Sequence, residues 1–200
     1  MKNRILAIIL VSTTLAIQAC NSTDRKKNDE DSMSGNSTIH NSIAGDSSAM
    51  DANLSPQEGA DCQTFMEQAA VGGMMEIEAG KLAAHKSNNS KVKEFARLMI
   101  KDHTQVSKEL QAIAKDKQVS LPESLPAKEQ HHLDKMKELR GSAFDKRYME
   151  MMVKDHDGAV DLFKAATSSS DSQISAFATK TLKVIEGHNK KAHKLNEELK

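Results

Sequence analysis

The chain has 200 residues, and its 28 Lys plus Arg are balanced by 28 Asp plus Glu, so no long-range field recommends it to nucleic acid. It carries five Phe, one Tyr and no Trp. The aromatics all lie beyond residue 60, where helix-forming Ala, Leu, Met, Lys and Glu dominate. A sheet-rich domain is excluded, and one helical domain with appendages fits the length.

Lys2 and Arg4 precede a thirteen-residue apolar run, Ile5 to Ile17. A helix needs roughly twenty residues to cross a hydrocarbon core of about 30 Å, so the run predicts a signal peptide over residues 1–19 rather than a membrane span. The following Leu15-Ala16-Ile17-Gln18-Ala19-Cys20 resembles the lipobox of bacterial lipoproteins, with Gln18 larger than the usual small residue. It makes Cys20 the expected lipidated first residue of the mature chain; an ordinary secretory signal is the alternative. Attachment by more than one acyl chain anchors stably, which predicts a bacterial envelope protein held to a membrane, periplasm-facing or on the outer membrane. Cys62 would then have no disulfide partner.

The stretch to residue 60 is rich in Ser, Asn, Asp, Gly and Thr and has no helical period. Residues 21–60 carry seven acidic and three basic groups. Such a segment buries too little apolar area to offset its ordering entropy, so residues 20–60 are expected to be a disordered tether.

From Asp61 a helical period begins, and residues 61–200 are expected to form the folded domain. Phe65, Ala69, Gly72, Glu76, Ala79 and Ala83 recur at three- and four-residue steps. Gly72 and Gly73 cost helix propensity, for which close approach by a neighbouring helix is the expected compensation. Ser87-Asn88-Asn89-Ser90 suits a turn and an N-cap. A second helix carries Val92, Phe95, Ala96, Met99, His103, Val106, Leu110 and Ile113 on one face, to about Lys117. Leu121-Pro122 and Leu125-Pro126 break the pattern, and a short helix spans about Ala127 to Leu139. Ser142, with Asp145 three residues on, resembles the next helix start. The third long helix carries Phe144, Tyr148, Met152, His156, Val160 and Phe163. After the turn Ser168–Asp171, the last carries Ile174, Phe177, Thr181, Ile185, His188, Ala192 and Leu195. Short turns make antiparallel hairpins of helices one and two and of helices three and four, and the long middle connection can cross over. An all-α, ferritin-like four-helix bundle with a short extra helix in that connection is the predicted fold.

Each long helix places one polar residue on its apolar stripe: Glu76, His103, His156 and His188. Met99-Ile100-Lys101-Asp102-His103 is echoed by Met152-Val153-Lys154-Asp155-His156, in the same phase. Counting residues from the turns puts Glu76 and His103 within about 4 Å in height, and His156 and His188 about 8 Å apart. Two readings follow. Inward Glu and His are what bundle metal sites use, which nominates Glu76, His103, His156 and His188 as ligands of a transition metal ion such as iron, manganese, copper or zinc. The other reading is a buried hydrogen-bond network in which Glu76, one or more of the histidines and Tyr148 satisfy one another. The di-iron pattern wants a Glu three residues before a His, whereas Ile100, Val153 and Ile185 hold those positions here. Asp102 and Asp155 lie ~100° around the helix from the histidines, an expected rim position. The methionines at helical spacing read as core filler, and no nucleophile is paired with a base.

Phe65–Leu82 (FMEQAAVGGMMEIEAGKL), Phe95–Thr104 (FARLMIKDHT), Leu121-Pro122, Phe144–Phe163 (FDKRYMEMMVKDHDGAVDLF) and Phe177–His188 together resemble domain of unknown function 4142. The resemblance covers Cys62 to Leu195 and implies a ferritin-like bundle exported to the bacterial envelope. Glu76, His103, His156 and His188 match polar positions of that family. No activity comes with it. A lipid-anchored binding module is the leading expectation, against a metal-dependent ferritin-like redox enzyme or a purely structural module; neither a protein partner nor an oligomeric state is specified.

Overall fold

The computed structural model describes residues 56–200, with side chains from Asp61 onward. The expected signal peptide, the Cys20 lipidation site and most of the tether lie outside the described residues. Among those described, every regular element is a helix: α1 (Pro56–Lys86), α2 (Ser90–Asp116), α3 (Ala127–Glu138), α4 (Gly141–Ala166) and α5 (Ser172–Glu198).

Local chemistry sets the ends. Pro56 opens α1 in the first turn, where a missing N–H costs nothing. Asn89 caps α2, its side chain accepting from the backbone N–H of Lys91 at 2.9 Å and of Val92 at 3.3 Å. Asp171 caps α5 through Gln173 and Ile174, both at 3.0 Å. Helix α2 ends with Gln118 in the left-handed region (φ 56°) and Val119 N–H bonded back to Ala114 at 2.8 Å. The start of α4 differs from the expectation at Ser142. The N-cap position is Arg140, with no side-chain cap, and the left-handed turn is made by Gly141 (φ 56°), so Ser142 lies inside the helix. Glycine tolerates that backbone without a Cβ clash, which replaces the missing cap as the reason the helix begins there.

The ends of the helices fix the topology. Lys86, closing α1, stands 5.7 Å over the Phe144 ring near the start of α4. Lys91, opening α2, pairs with Glu198 at the end of α5 at 2.7 Å. At the opposite end Lys117 pairs with Asp171, and Cys62 Sγ lies 3.6 Å from Ser169 Oγ. Helices α2 and α4 therefore run in the same direction, and the connection containing α3 climbs back along the bundle. Helix α1 packs on α2 and α4, α5 on α4 and α2, and α3 on α1 and α4. Two antiparallel hairpins joined by one long crossover are the ferritin-like arrangement.

The apolar core is divided in two. One cluster, around Phe95, Met99, Phe144, Tyr148 and Met152, lies toward the α1–α2 turn. The other, around Phe65, Leu110, Phe163, Phe177 and Ile185, lies toward the α4–α5 turn. Seven of the eight methionines beyond residue 60 are buried in these clusters, as expected of core filler. Between them sits a layer of buried polar side chains.

Candidate metal centre

That layer is Glu76, His103, His156 and His188, one from each long helix. All four are at least 94% buried, His156 completely. The 8 Å offset expected between His156 and His188 does not separate them, for their ring centroids are 5.6 Å apart. Side chains on a helix lean toward its N-terminus. His156 therefore leans away from the α4–α5 turn while His188 leans toward it, and the two lean into the same layer. Glu76 and His103 close their smaller offset in the same way. His103 and His188 complete the cluster at 5.3 Å, and His103 and His156 at 5.6 Å.

Each imidazole is anchored on one nitrogen. His103 Nδ1 donates to Glu76 Oε2 at 2.9 Å, and His156 Nδ1 lies 3.2 Å from Glu76 Oε1 and 2.9 Å from the Met152 carbonyl. His188 Nε2 donates to Asp102 Oδ2 at 3.0 Å. In a neutral imidazole a ring nitrogen that donates leaves the other as a lone-pair acceptor. Those remaining atoms, His103 Nε2, His156 Nε2 and His188 Nδ1, are buried and unpartnered. One ring nitrogen from each of the three histidines lies within 4.8 Å of the others.

Burial pushes the Glu76 carboxyl up, but the charge and hydrogen bond of His103, with His156 and His188 behind, outweigh it and hold the group below its ordinary value. Burial opposes a charged His103, yet Glu76 and then Asp102 raise its affinity for a proton. Burial lowers His156 despite Glu76, and pulls His188 down to about 4 despite the Asp102 hydrogen bond. His103 and Glu76 thus form the ion pair of the layer, and His156 and His188 are neutral.

Three points inside 4.8 Å of one another share a centre within about 2.8 Å of each. Movements of about 0.7 Å would bring them to the ~2.0–2.1 Å of a metal–imidazole bond. The donor set fits a transition metal that displaces the second proton of His103, with the imidazoles held by carboxylates on their far nitrogens. Glu76, one of the nominated ligands, takes the anchoring place behind two imidazoles.

The hydrogen-bond network expected as the alternative does not close on itself. Tyr148 does not enter it, since its hydroxyl has no partner and its ring packs against Phe95 and Phe144. Asp102 is the participant that sequence reasoning missed, with a side chain 25% exposed and directed at α5. The ~100° step that takes it off the α2 stripe turns it toward the neighbour on that flank. The same position in α4, Asp155, has no such histidine; burial and then the Glu76 charge raise it to about 6. Among the described residues the other histidines stand apart, His85, His131 and His132 being exposed and His193 bonded to Asp157 at 2.9 Å.

The family described as domain of unknown function DUF4142 matches residues 46–195, three quarters of the chain and the whole histidine layer. The chain belongs to the DUF4142 family. No curated protein matches it. The DUF4142 bundle is similar to a DUF305 protein of Streptomyces coelicolor, named as secreted, with a TM-score of 0.60 at 14% identity over 71% of this chain and 94% of that one. It is also similar to a DUF305 fragment from Deinococcus radiodurans, with a TM-score of 0.59 at 13% identity over 72% and 97% of the two chains. At such identity the likeness is one of fold. No helix among the described residues of the DUF4142 chain is long and apolar enough to cross a membrane.

Proposed function

We propose that this DUF4142 chain is a lipid-anchored envelope protein whose bundle holds one transition metal ion through His103, His156 and His188. The observation that carries this is one buried layer in which each of three imidazoles keeps an unpartnered nitrogen and offers a ring nitrogen within 4.8 Å of the others. A buried polar atom without a partner costs about 1–3 kcal/mol, and three such atoms on the imidazoles of one layer is an arrangement a cation relieves. Glu76 and Asp102 orient the rings, fix which nitrogen keeps its lone pair, and supply two negative charges against a divalent ion. An all-imidazole set suits zinc, copper or iron and is a poor match for manganese, which prefers oxygen ligands. Because Ile100, Val153 and Ile185 stand where a di-iron site carries its glutamates, the reading is of a single ion.

The test is elemental analysis of the chain purified without chelator. Near-stoichiometric metal that is lost in His103→Ala and His156→Ala supports the reading. A metal-free chain that also fails to take up zinc, copper or iron on titration ends it.

The anchor rests on the lipobox-like run ending at Cys20. Cys20→Ser should abolish incorporation of labelled lipid and leave uncleaved precursor, and normal maturation of that variant would remove the anchor from the proposal.

A further inference from the structure

The two sides of the histidine layer are built differently. Toward the α1–α2 turn it is sealed by Ala79, Met99, Met152 and Ala192, all without exposed surface. On the other side, one turn along each helix, lies a cavity of about 380 Å³ that reaches Glu76 and His103. Its floor includes Val106, Phe163 and Ile185, which lie one or two turns from the layer on α2, α4 and α5, and its mouth includes the exposed Gly72 and Gly158. A Cβ built at either glycine meets no atom within 4 Å. Gly72 stands four residues before Glu76, hence on the same face of α1. The three other long helices present imidazoles, while α1 contributes an anchoring carboxylate and then a residue with no side chain.

The geometry points to an entry channel between Gly72 and Gly158 through which a small uncharged nitrogen or oxygen donor reaches an open coordination position on the ion held by His103, His156 and His188. This rests on the metal reading above and adds to it that the site is accessible. Structural zinc sites are closed by four protein ligands; sites with three keep a position for an outside ligand. The cavity falls within the size range of small-molecule pockets. The charged groups lining it are Glu76, Glu129 and Asp155, with His103 and Lys154. With a divalent ion bound and His103 neutral, the three carboxylates balance Lys154 and the ion, so no excess positive charge draws an anion in preference to a neutral donor.

The probe is the full chain loaded with Co(II), whose visible absorption reports its ligands, titrated with imidazole and in parallel with azide. Imidazole should give a saturable spectral change with the cobalt still bound after desalting, and azide a weaker response. Gly72→Leu and Gly158→Leu, whose side chains would enter open space, should keep stoichiometric cobalt and a native circular-dichroism spectrum while weakening the imidazole response at least tenfold. Stoichiometric cobalt with no response to either probe would show a closed site and overturn the channel alone. Equal responses in the wild type and both leucine variants would overturn the entry route, and a stronger azide response would overturn the ligand class. A chain that binds no cobalt, zinc, copper or iron would take the metal reading down, and the channel with it.

Discussion

Asp102 and His188 meet across the α2–α5 interface, the Nε2 proton of the imidazole donated to Oδ2 of the carboxylate over 3.0 Å. This contact decides which nitrogen of His188 faces the layer. With Nε2 protonated, Nδ1 keeps its lone pair and stays unpartnered inside the bundle. Asp102→Asn preserves shape but replaces the acceptor with an amide that must present its oxygen correctly and has no charge. Metal affinity should fall about 10–100-fold, with little change in the far-ultraviolet spectrum. Competition against a chromophoric chelator measures it, and unchanged affinity would detach Asp102 from the site.

Glu76 holds two imidazoles at once, one on each oxygen, His103 at 2.9 Å and His156 at 3.2 Å. Glu76→Gln leaves one oxygen to accept and turns an NH2 donor toward the other ring. His103 then loses the counter-charge that favours its proton. Urea unfolding of the metal-free variant should show a loss of about 1–3 kcal/mol, the cost of a buried donor without an acceptor. A variant as stable as the wild type would mean that the layer tolerates an unsatisfied ring.

The helices, their order and the crossover were legible because the apolar period of 3.6 runs unbroken between turns of short polar residues. The four polar residues of the layer stood out for the same reason, as interruptions of otherwise apolar stripes at Glu76, His103, His156 and His188. What sequence spacing concealed was direction. Heights measured along the axis ignore the tilt of each Cα–Cβ bond toward the N-terminus, so His156 and His188 looked too far apart to meet. Asp102 was concealed differently. Its partner is on α5, and only knowing that α2 packs there tells that an off-stripe residue reaches an imidazole. The Ser142 start misled because its cap-like spacing to Asp145 is local, whereas the backbone reverses at Gly141.

Gly72 and Gly73 were expected to mark a close helix approach, and the structure gives that role chiefly to Gly80, which the expectation did not include. Gly80 is the tight position, where an added Cβ would lie 3.0 Å from Ile100 Cγ1 and 3.1 Å from the Ala96 carbonyl oxygen. Gly73 is intermediate, with Ser107 Oγ at 3.2 Å, and Gly72 has no neighbour within 4 Å. Gly72→Ala should therefore stabilise the chain by roughly 0.5–1 kcal/mol, the difference in helix propensity. Gly80→Ala gains the same propensity but must push the α2 backbone away, and should destabilise by about 1–3 kcal/mol. Thermal denaturation of the two variants side by side checks this, and a shift in the same direction for both would contradict the assignment of the α1–α2 contact to Gly80.

Stability of the metal-free chain should pass through a maximum in pH, because the layer holds groups shifted in opposite directions. His188, pulled down to about 4 by burial, and His156, also lowered by burial, are neutral in the fold and take up protons on unfolding. Their contribution is complete above the unfolded histidine value of about 6.5 and is lost as the pH falls toward the folded one. Glu76, whose histidine partners hold it below its ordinary value against burial, adds to the same acid limb below about 4.5. His103 works the other way: Glu76 raises it against burial, so its contribution is present below about 6.5 and disappears as the pH rises through its folded value. Melting temperatures across this range should rise from pH 4 to about 6.5, by less than the histidines and Glu76 alone would give because Asp155, raised by burial to about 6, loses its contribution over the same span, and decline again above the His103 transition. His188→Gln should flatten the acid limb, and Glu76→Gln should remove the decline on the alkaline side. Metal competes with the His103 proton, so affinity for zinc should climb about tenfold per pH unit below that transition and level off above it. A flat affinity profile through neutral pH would mean that His103 binds no proton in the empty layer, and the ion pair with Glu76 would then have to be abandoned.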